Sequence, residues 1–209
     1  KHIFQHIETL YQFLGNRELL FSYIEWFKIL PLFLDFPEFR VVHAAWVEKD
    51  VELVRRYSRE GNLMTSDFLL RSAVKGTEEH RAVEHLLKGV RLDISPDKGF
   101  YDKDGNFRTT MRTRWWEDAR GKTYSDLGFP PGNVRSADPI SPEDAARVPG
   151  YRDGKPVFIG HYWLKNLPPV IQTPRICCLD YSVAKGGSLA AYTYRGEADL
   201  TPENLTWVT

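Results

Sequence analysis

The chain is poor in cysteine: Cys177 and Cys178 are the only two among its 209 residues, and they are adjacent. Neighbouring residues of a strand point to opposite faces, so we predict reduced thiols and a cytoplasmic location. An excess of charge is also missing, because 28 Lys and Arg residues balance 28 Asp and Glu residues. This balance gives no general attraction to nucleic acid or to an acidic membrane, so neither is an expected partner.

Long apolar runs and common local motifs are also missing. No apolar stretch reaches membrane-spanning length, and neither a glycine-rich phosphate loop nor a nucleophile elbow occurs. A content of 42% hydrophobic and 13% aromatic residues is enough for an ordered core. We expect residues 1–209 to form a single domain, in which 90–156 supply a hairpin and a long connection.

Helical signals come first along the chain, and strand signals dominate its last third. Apolar spacing and stop signals predict helices over residues 3–14, 17–29, 48–59, 66–75 and 78–88. Strands are predicted within residues 30–36, 39–46, 100–116, 156–163, 175–183 and 188–194, with hairpin turns at 104–105 and 185–187. This order predicts an α/β or α+β fold with a mixed sheet.

Two histidines stand at the ends of strand-like runs: His43 in "RVVHAAW" and His161 in "VFIGHYW". Strand ends are where open α/β sheets build their sites, and imidazole is a common metal ligand. Gly160 is expected to let the backbone bend before His161. The alternative is that each is a core histidine with one satisfied hydrogen bond, since the two lie far apart and form no local motif.

Asp180 is a carboxylate inside the otherwise apolar run "CCLDYSV". A buried aspartate must be paired, hydrogen-bonded or bound to metal. With His43 and His161 it would complete a site of two histidines and one carboxylate. The alternative is that Asp180 braces a turn or the adjacent hairpin at Lys185.

Arg112 and Arg114 lie two residues apart in "TMRTRWW" and therefore share one face of a strand. Two guanidinium groups on one face suit a phosphate, so we consider both as substrate-binding residues. The alternative is an exposed strand face whose charges are balanced by Asp102, Asp104 and Glu117.

Other aromatic and histidine residues favour structural roles. Trp115 and Trp116 are expected in the core or at its edge, and not as a platform for stacking bases. His80 and His85 lie five apart on a predicted helix, which does not place them on one face, so we interpret them as surface residues.

Taken together, "RVVHAAW", "DKDGNFR", "VFIGHYWL" and "CLDYSVAKGGSLAAY" resemble the C-terminal part of bacterial calcineurin-like metallophosphoesterases. The branch is the one related to serine/threonine phosphoprotein phosphatases and symmetrical diadenosine tetraphosphatases. The resemblance covers most of the chain and is most specific over residues 100–194. It implies an α/β fold that is part of a four-layer α/β/β/α sandwich. It also implies hydrolysis of phosphoesters by a hydroxide that two metal ions activate.

The resemblance assigns His43 and His161 as ligands of one ion and places no catalytic residue in this chain. It gives Asp180 the role of supporting the hairpin. The implied cofactors are two divalent metal ions, of manganese, iron, zinc or nickel. The implied substrate is a phosphorylated small molecule, a nucleotide or a phosphoprotein.

The chain also departs from this family, because the motifs D-x-H, G-D-x-x-D-R-G and G-N-H-E do not occur in it. The run "FQHIETLYQFL" resembles the segment after the last of them, so we expect a fragment or a truncated homologue. The 209-residue chain alone is then expected to be inactive. Two alternatives remain: an interaction protein that kept the fold and lost the metal centre, and a mononuclear site of His43, His161 and Asp180.

Overall fold

The computed structural model describes residues 6–57, 64–102, 105–148, 150–152 and 154–209. Within these ranges the chain has a mixed α/β architecture, in which short helices accompany several small sheets. The helices of this part of the chain are α1 (Ile7–Gln12), α2 (Arg17–Lys28), α3 (Glu48–Tyr57), α4 (Ser66–Ser72), α5 (Glu78–Lys88), α6 (Tyr124–Leu127) and α7 (Pro142–Arg147). The expected α/β class is therefore confirmed.

The helices α1 and α2 bury none of their side chains. The broad apolar face predicted for α2 is present, but Phe21, Trp26 and Phe27 are each about half exposed. Ile3 and Phe4, which belong to the predicted first helix, lie outside the described residues. The stability of the described fold therefore depends little on these two helices.

The helices α3, α4 and α5 form a layer in which α5 packs against both of the others. Helix α5 has its predicted bounds: the Thr77 hydroxyl caps its first turn, and the chain turns away at Gly89 with φ of 82°. Helix α4 ends at Ser72 instead of Lys75, because the next backbone N–H groups bond three residues back. The predicted end of α3, at 58–62, lies outside the described residues.

The described strands are β1 (Phe33–Asp35), β2 (Arg40–Val42), β3 (Arg91–Asp93), β4 (Phe100–Tyr101), β5 (Phe107–Arg108), β6 (Thr110–Thr113), β7 (Gly128–Phe129), β8 (Val157–Ile159), β9 (Ile176–Cys178), β10 (Asp180–Tyr181), β11 (Ser188–Tyr192) and β12 (Leu205–Val208). The central sheet has the order β1-β2-β8-β9. Strands β1 and β2 are antiparallel, whereas β2 pairs with β8 and β8 with β9 in parallel. The predicted mixed sheet is confirmed.

The strands β8 and β9 of the central sheet are buried on both faces, as is typical of parallel strands. Val157, Ile159 and Cys178 belong to the main core, while Phe158 and Cys177 belong to a second cluster on the other face. The two cysteines are thus free thiols on opposite faces, as predicted. Burial raises the pKa of both thiols to about 12, which keeps them protonated at neutral pH.

The remaining strands form a sheet β3-β6-β7, a sheet β10-β11-β12 and the pair β4-β5. The predicted hairpin about residues 104–105 is confirmed by the antiparallel pair β4–β5, but it does not extend over residues 100–116, because β6 pairs with β3 and β7. Met111 and Thr113 are fully buried, so β6 has to join the sheet that covers the core. Asp104, in the predicted turn, lies outside the described residues, whereas the predicted hairpin at 185–187 is formed by β10 and β11.

The described sheets are small and separate, and they do not establish a four-layer sandwich. Among the described helices, none combines the length and the apolar character needed to cross a membrane.

Candidate functional site

His43 and His161, the histidine pair, meet because of the parallel pairing in the central sheet. His43 follows β2, and His161 follows β8 after one glycine. Since β2 and β8 run in parallel, their carboxyl ends lie at the same edge of the sheet. The two imidazole rings lie 5.1 Å apart, centroid to centroid. The structure thus brings together the two residues that the sequence predicts as one site.

The backbone bend in this turn falls on His161 itself and not on Gly160. The N–H of Tyr162 donates to the carbonyl of Gly160 at 2.8 Å, which closes a γ-turn centred on His161, whose φ is 64°. The expectation that Gly160 supplies the bend is wrong, because its φ is not left-handed. A Cβ on Gly160 would lie 3.6 Å from the carbonyl oxygen of His43, an ordinary contact. His161 therefore holds the strained conformation, and such strain concentrates at functional sites.

His161 is held in its neutral form. Burial lowers its pKa to about 4, and the nearby cations Arg112 and Arg91 and the His43 ring act in the same direction. Its Nε2 atom is buried and has no hydrogen-bond partner among the described residues. A neutral imidazole nitrogen without a partner is the form that binds a metal ion. The alternative of a core histidine with one satisfied hydrogen bond stays open, because it too leaves one ring nitrogen without a partner.

Asp180 lies close enough to His161 to oppose the lowering of the His161 pKa. Its Oδ1 accepts a hydrogen bond from the backbone N–H of Ser182 at 3.1 Å, which braces the turn that follows. Its carbonyl accepts from the N–H of Leu164 at 2.8 Å. Asp180 thereby ties the hairpin to the turn after His161, and these contacts match its predicted bracing role.

Two arginines face the histidine pair. The Nη1 atom of Arg112 donates to the carbonyl of His161 at 3.0 Å. Arg91, on β3, lies directly opposite Arg112 on β6 and lowers the pKa of His161 from there. Like charges directly opposite each other in a sheet are destabilising, and the carboxylates of Glu84, near Arg91, and of Asp180, near Arg112, offset part of this repulsion. Sequence reasoning missed Arg91, because only the pairing of β3 with β6 reveals its position.

Arg114 does not share this location. It pairs with the Glu117 carboxylate at 2.7 Å and donates to the carbonyl of Asp126. The contact with Glu117 is the one that the alternative of balanced surface charges predicts. Trp115 and Trp116 are both buried, as expected for core residues.

The interpretation of the helix histidines as surface residues is wrong. His85 is half-buried, and its Nδ1 lies 2.7 Å from Oδ2 of Asp50, which is fully buried. The Nδ1 atom of His80 lies 2.8 Å from the carbonyl of Ser72. The buried Asp50 was not distinguishable in the sequence from the exposed acidic residues around it. These contacts join α5 to α3 and α4 and do not involve the histidine pair.

An apolar groove of about 520 Å³ opens beside His43 and Gly160. The groove is lined mainly by apolar side chains from 31–34, 41–42 and 158–159, together with Leu87 and Leu179. A larger cavity, of about 630 Å³, contains neither histidine and is lined by charged residues that include the pair Asp118 and Arg152. The smaller groove therefore reaches His43, whereas His161 is not among the residues that line it.

The histidine pair fits part of a metal centre. Its adjacent rings and the unpartnered Nε2 of His161 suit two nitrogen ligands of one ion. In the described ranges, however, no group of three or more His, Cys, Asp or Glu side chains is arranged to hold a metal ion. The three-residue metal site of His43, His161 and Asp180 is therefore not formed. Within the described ranges, the potential metal ligands at this position are the two histidines.

Comparisons with known proteins neither support nor contradict the predicted metal ligands. No protein-family model, no curated protein and no solved structure matches the chain. The metallophosphoesterase resemblance thus remains a prediction from the sequence, beside a geometry that brings two of the implied ligands together.

Proposed function

We propose that this chain contributes two histidine ligands to the metal centre of a phosphoester hydrolase. The observation that carries the proposal is the histidine pair at the carboxyl ends of β2 and β8, with the Nε2 atom of His161 buried and unpartnered. His43 and His161 are the residues that the resemblance assigns to one ion. The proposal also implies that the chain forms part of a four-layer α/β/β/α sandwich.

The charges beside the pair support an anionic substrate. Arg112 is mostly buried, and burial lowers its pKa, with the neighbouring Arg91 acting in the same direction. Two cations this close are stabilised when a phosphoryl group lies between them, because its oxygens accept charge-assisted hydrogen bonds. The carbonyl of His161 satisfies one N–H group of Arg112 and fixes the guanidinium beside the pair.

The protein's own part in this chemistry is to hold two imidazole rings side by side, with His161 in its neutral form, and to attract the phosphoryl group. Divalent ions, when bound, stabilise phosphoryl charge and make a water molecule nucleophilic at neutral pH. The strained γ-turn fixes the direction of the His161 ring, and Arg112 stabilises this turn through the His161 carbonyl. The proposal requires the other metal ligands to come from polypeptide outside the described residues.

Calorimetric titration of the chain with MnCl₂ and with ZnCl₂ at pH 7 tests the proposal. We expect weak binding that is lost in His43→Gln and in His161→Gln and kept in His80→Gln, the control on α5. Phosphatase activity of the chain by itself is expected to be near background, because two ligands do not complete the centre. Unchanged metal binding in both variants contradicts the ligand assignment.

The alternative is an interaction protein that kept the fold and lost the metal centre. It is favoured by the finding that, within the described ranges, no three potential ligands come together. It predicts no metal binding by the unsubstituted chain, so the same titration separates the two functions.

A further inference from the structure

Trp163, two residues after His161, combines strain with exposure. Its φ is 47°, in the left-handed region that bulky residues rarely adopt. The non-glycine residues with positive φ in the described ranges are His161, Trp163 and Ser182, and all lie around this turn. Trp163 is 47% exposed, so burial of its ring recovers little of the cost of this conformation. Backbone strain of this kind is typical of sites that position a ligand.

The turn that carries Trp163 is fixed from both sides. The N–H of Leu164 donates to the carbonyl of Asp180 at 2.8 Å, and the hydroxyl of Ser182 donates to the carbonyl of Leu164 at 3.3 Å. The orientation of the Trp163 ring is therefore set by the hairpin β10–β11 as well as by β8.

The Trp163 ring lies close to the His161 ring and to two cations. Its centroid is 5.7 Å from that of the His161 ring. The Nζ atom of Lys185 lies 4.7 Å from the ring centroid of Trp163, and Cζ of Arg112 lies 5.9 Å from it. The aromatic ring of Trp163 and the positive charges of Arg112 and Lys185 thus lie close to His161, one of the two proposed metal ligands.

We infer that Trp163 forms the aromatic part of a substrate subsite, and that the substrate carries a planar aromatic ring in addition to its phosphoryl group. The inference rests on the proposed function and narrows its substrate class. The ring of the substrate stacks on the exposed surface of Trp163, while the phosphoryl oxygens contact Arg112 and Lys185. Stacking on an aromatic side chain tolerates any planar ring, so an aryl phosphate and a nucleotide share this chemistry.

A purely structural role for Trp163 makes a different prediction. If the ring only holds Arg112 and Lys185 in place, its removal weakens the binding of aromatic and aliphatic phosphates equally. A stacking role predicts that only the preference for the aromatic compound is lost. A matched pair of ligands therefore separates the two roles.

The experiment measures binding of phenyl phosphate and cyclohexyl phosphate, which carry the same charge, to the full chain without added metal. We expect phenyl phosphate to bind at least about fivefold more tightly, the lower end of stacking contributions. The preference should disappear in Trp163→Leu and persist in part in Trp163→Phe. Trp207→Leu is the control, because Trp207 is 44% exposed on β12. AMP against ribose 5-phosphate then tells whether a nucleobase is accepted like a phenyl ring.

Equal affinities in the unsubstituted chain, or no binding of either compound, overturn the inference. A preference that survives in Trp163→Leu overturns it too. If Trp163→Leu does not fold, the indole N–H signal of Trp163 in the unsubstituted chain decides: phenyl phosphate must shift it, and cyclohexyl phosphate must shift it less. Loss of metal binding with the preference intact rejects the proposed function alone, and the reverse result rejects the subsite alone.

Discussion

Acidification should destabilise the metal-free chain through His161. Burial and the adjacent cations hold the pKa of His161 at about 4, whereas an unfolded histidine titrates near 6.5. Between these values the unfolded chain binds a proton that the folded chain does not. Stability from His161 is therefore fully present above pH 6.5 and is lost as the pH falls through about 4.

The size of the effect follows from the same two values. Each unit of pKa difference corresponds to about 1.4 kcal/mol, so full burial would make the loss about 3 kcal/mol. His161 is only partly buried, and solvent screening reduces the expected loss to about 1–2 kcal/mol. Replacing Arg112 with glutamine removes one of the cations, so Arg112→Gln should raise the pKa of His161.

The assay is urea unfolding at several pH values between 7.5 and 4.5, with a chelator present, for the unsubstituted chain and for His161→Gln. Acidic groups titrate alike in both proteins, so the difference in the free energy of unfolding isolates His161. It should shrink by about 1–2 kcal/mol as the pH falls, and the imidazole signals of His161 should remain those of the neutral ring at pH 5.5. A pH-independent difference, or titration of His161 near 6.5, would show that the folded structure does not hold His161 neutral.

Two further predictions concern stability and use matched controls. Gly89→Ala should destabilise by about 2 kcal/mol, because φ is 82° and the new Cβ would lie 2.8 Å from the hydroxyl oxygen of Tyr162, while Gly160→Ala should change little. Phe68→Ala, at a fully buried position, should cost about 3–5 kcal/mol, while Trp26→Ala on the exposed face of α2 should cost less than about 1. Urea midpoints measure both, and equal losses within either pair would contradict the packing described above.

Local sequence signals predict the bounds of an element correctly where residues at both of its ends mark the start and the end of a helix. Helix α5 has the predicted bounds because Thr77 caps it and Gly89 ends it. The hairpin predicted over residues 100–116 is shorter in the structure, because the pairing of its second half is not local: buried Met111 draws β6 to β3. The pattern of apolar residues predicts where the strands lie, whereas the burial of their side chains in the core determines which strands pair.

The candidate site was predictable to a similar extent. The sequence predicts that His43 and His161 lie at strand ends. The proximity of the two rings, however, depends on the parallel pairing of β2 and β8, which are separated by more than a hundred residues. Arg91 gave no signal, because its relevance arises only where it lies opposite Arg112. The sequence predicts the backbone bend at Gly160, whereas it falls on His161, since a γ-turn can force a non-glycine residue into a left-handed conformation.

An anomalous-difference map of crystals grown with Mn²⁺ would show whether the histidine pair binds a metal ion. We expect one peak at coordination distance, about 2.0–2.3 Å, from a ring nitrogen of both His43 and His161, with Nε2 as the ligand atom of His161. A peak elsewhere, or an ordered histidine pair without a peak at a saturating manganese concentration, would contradict the ligand assignment.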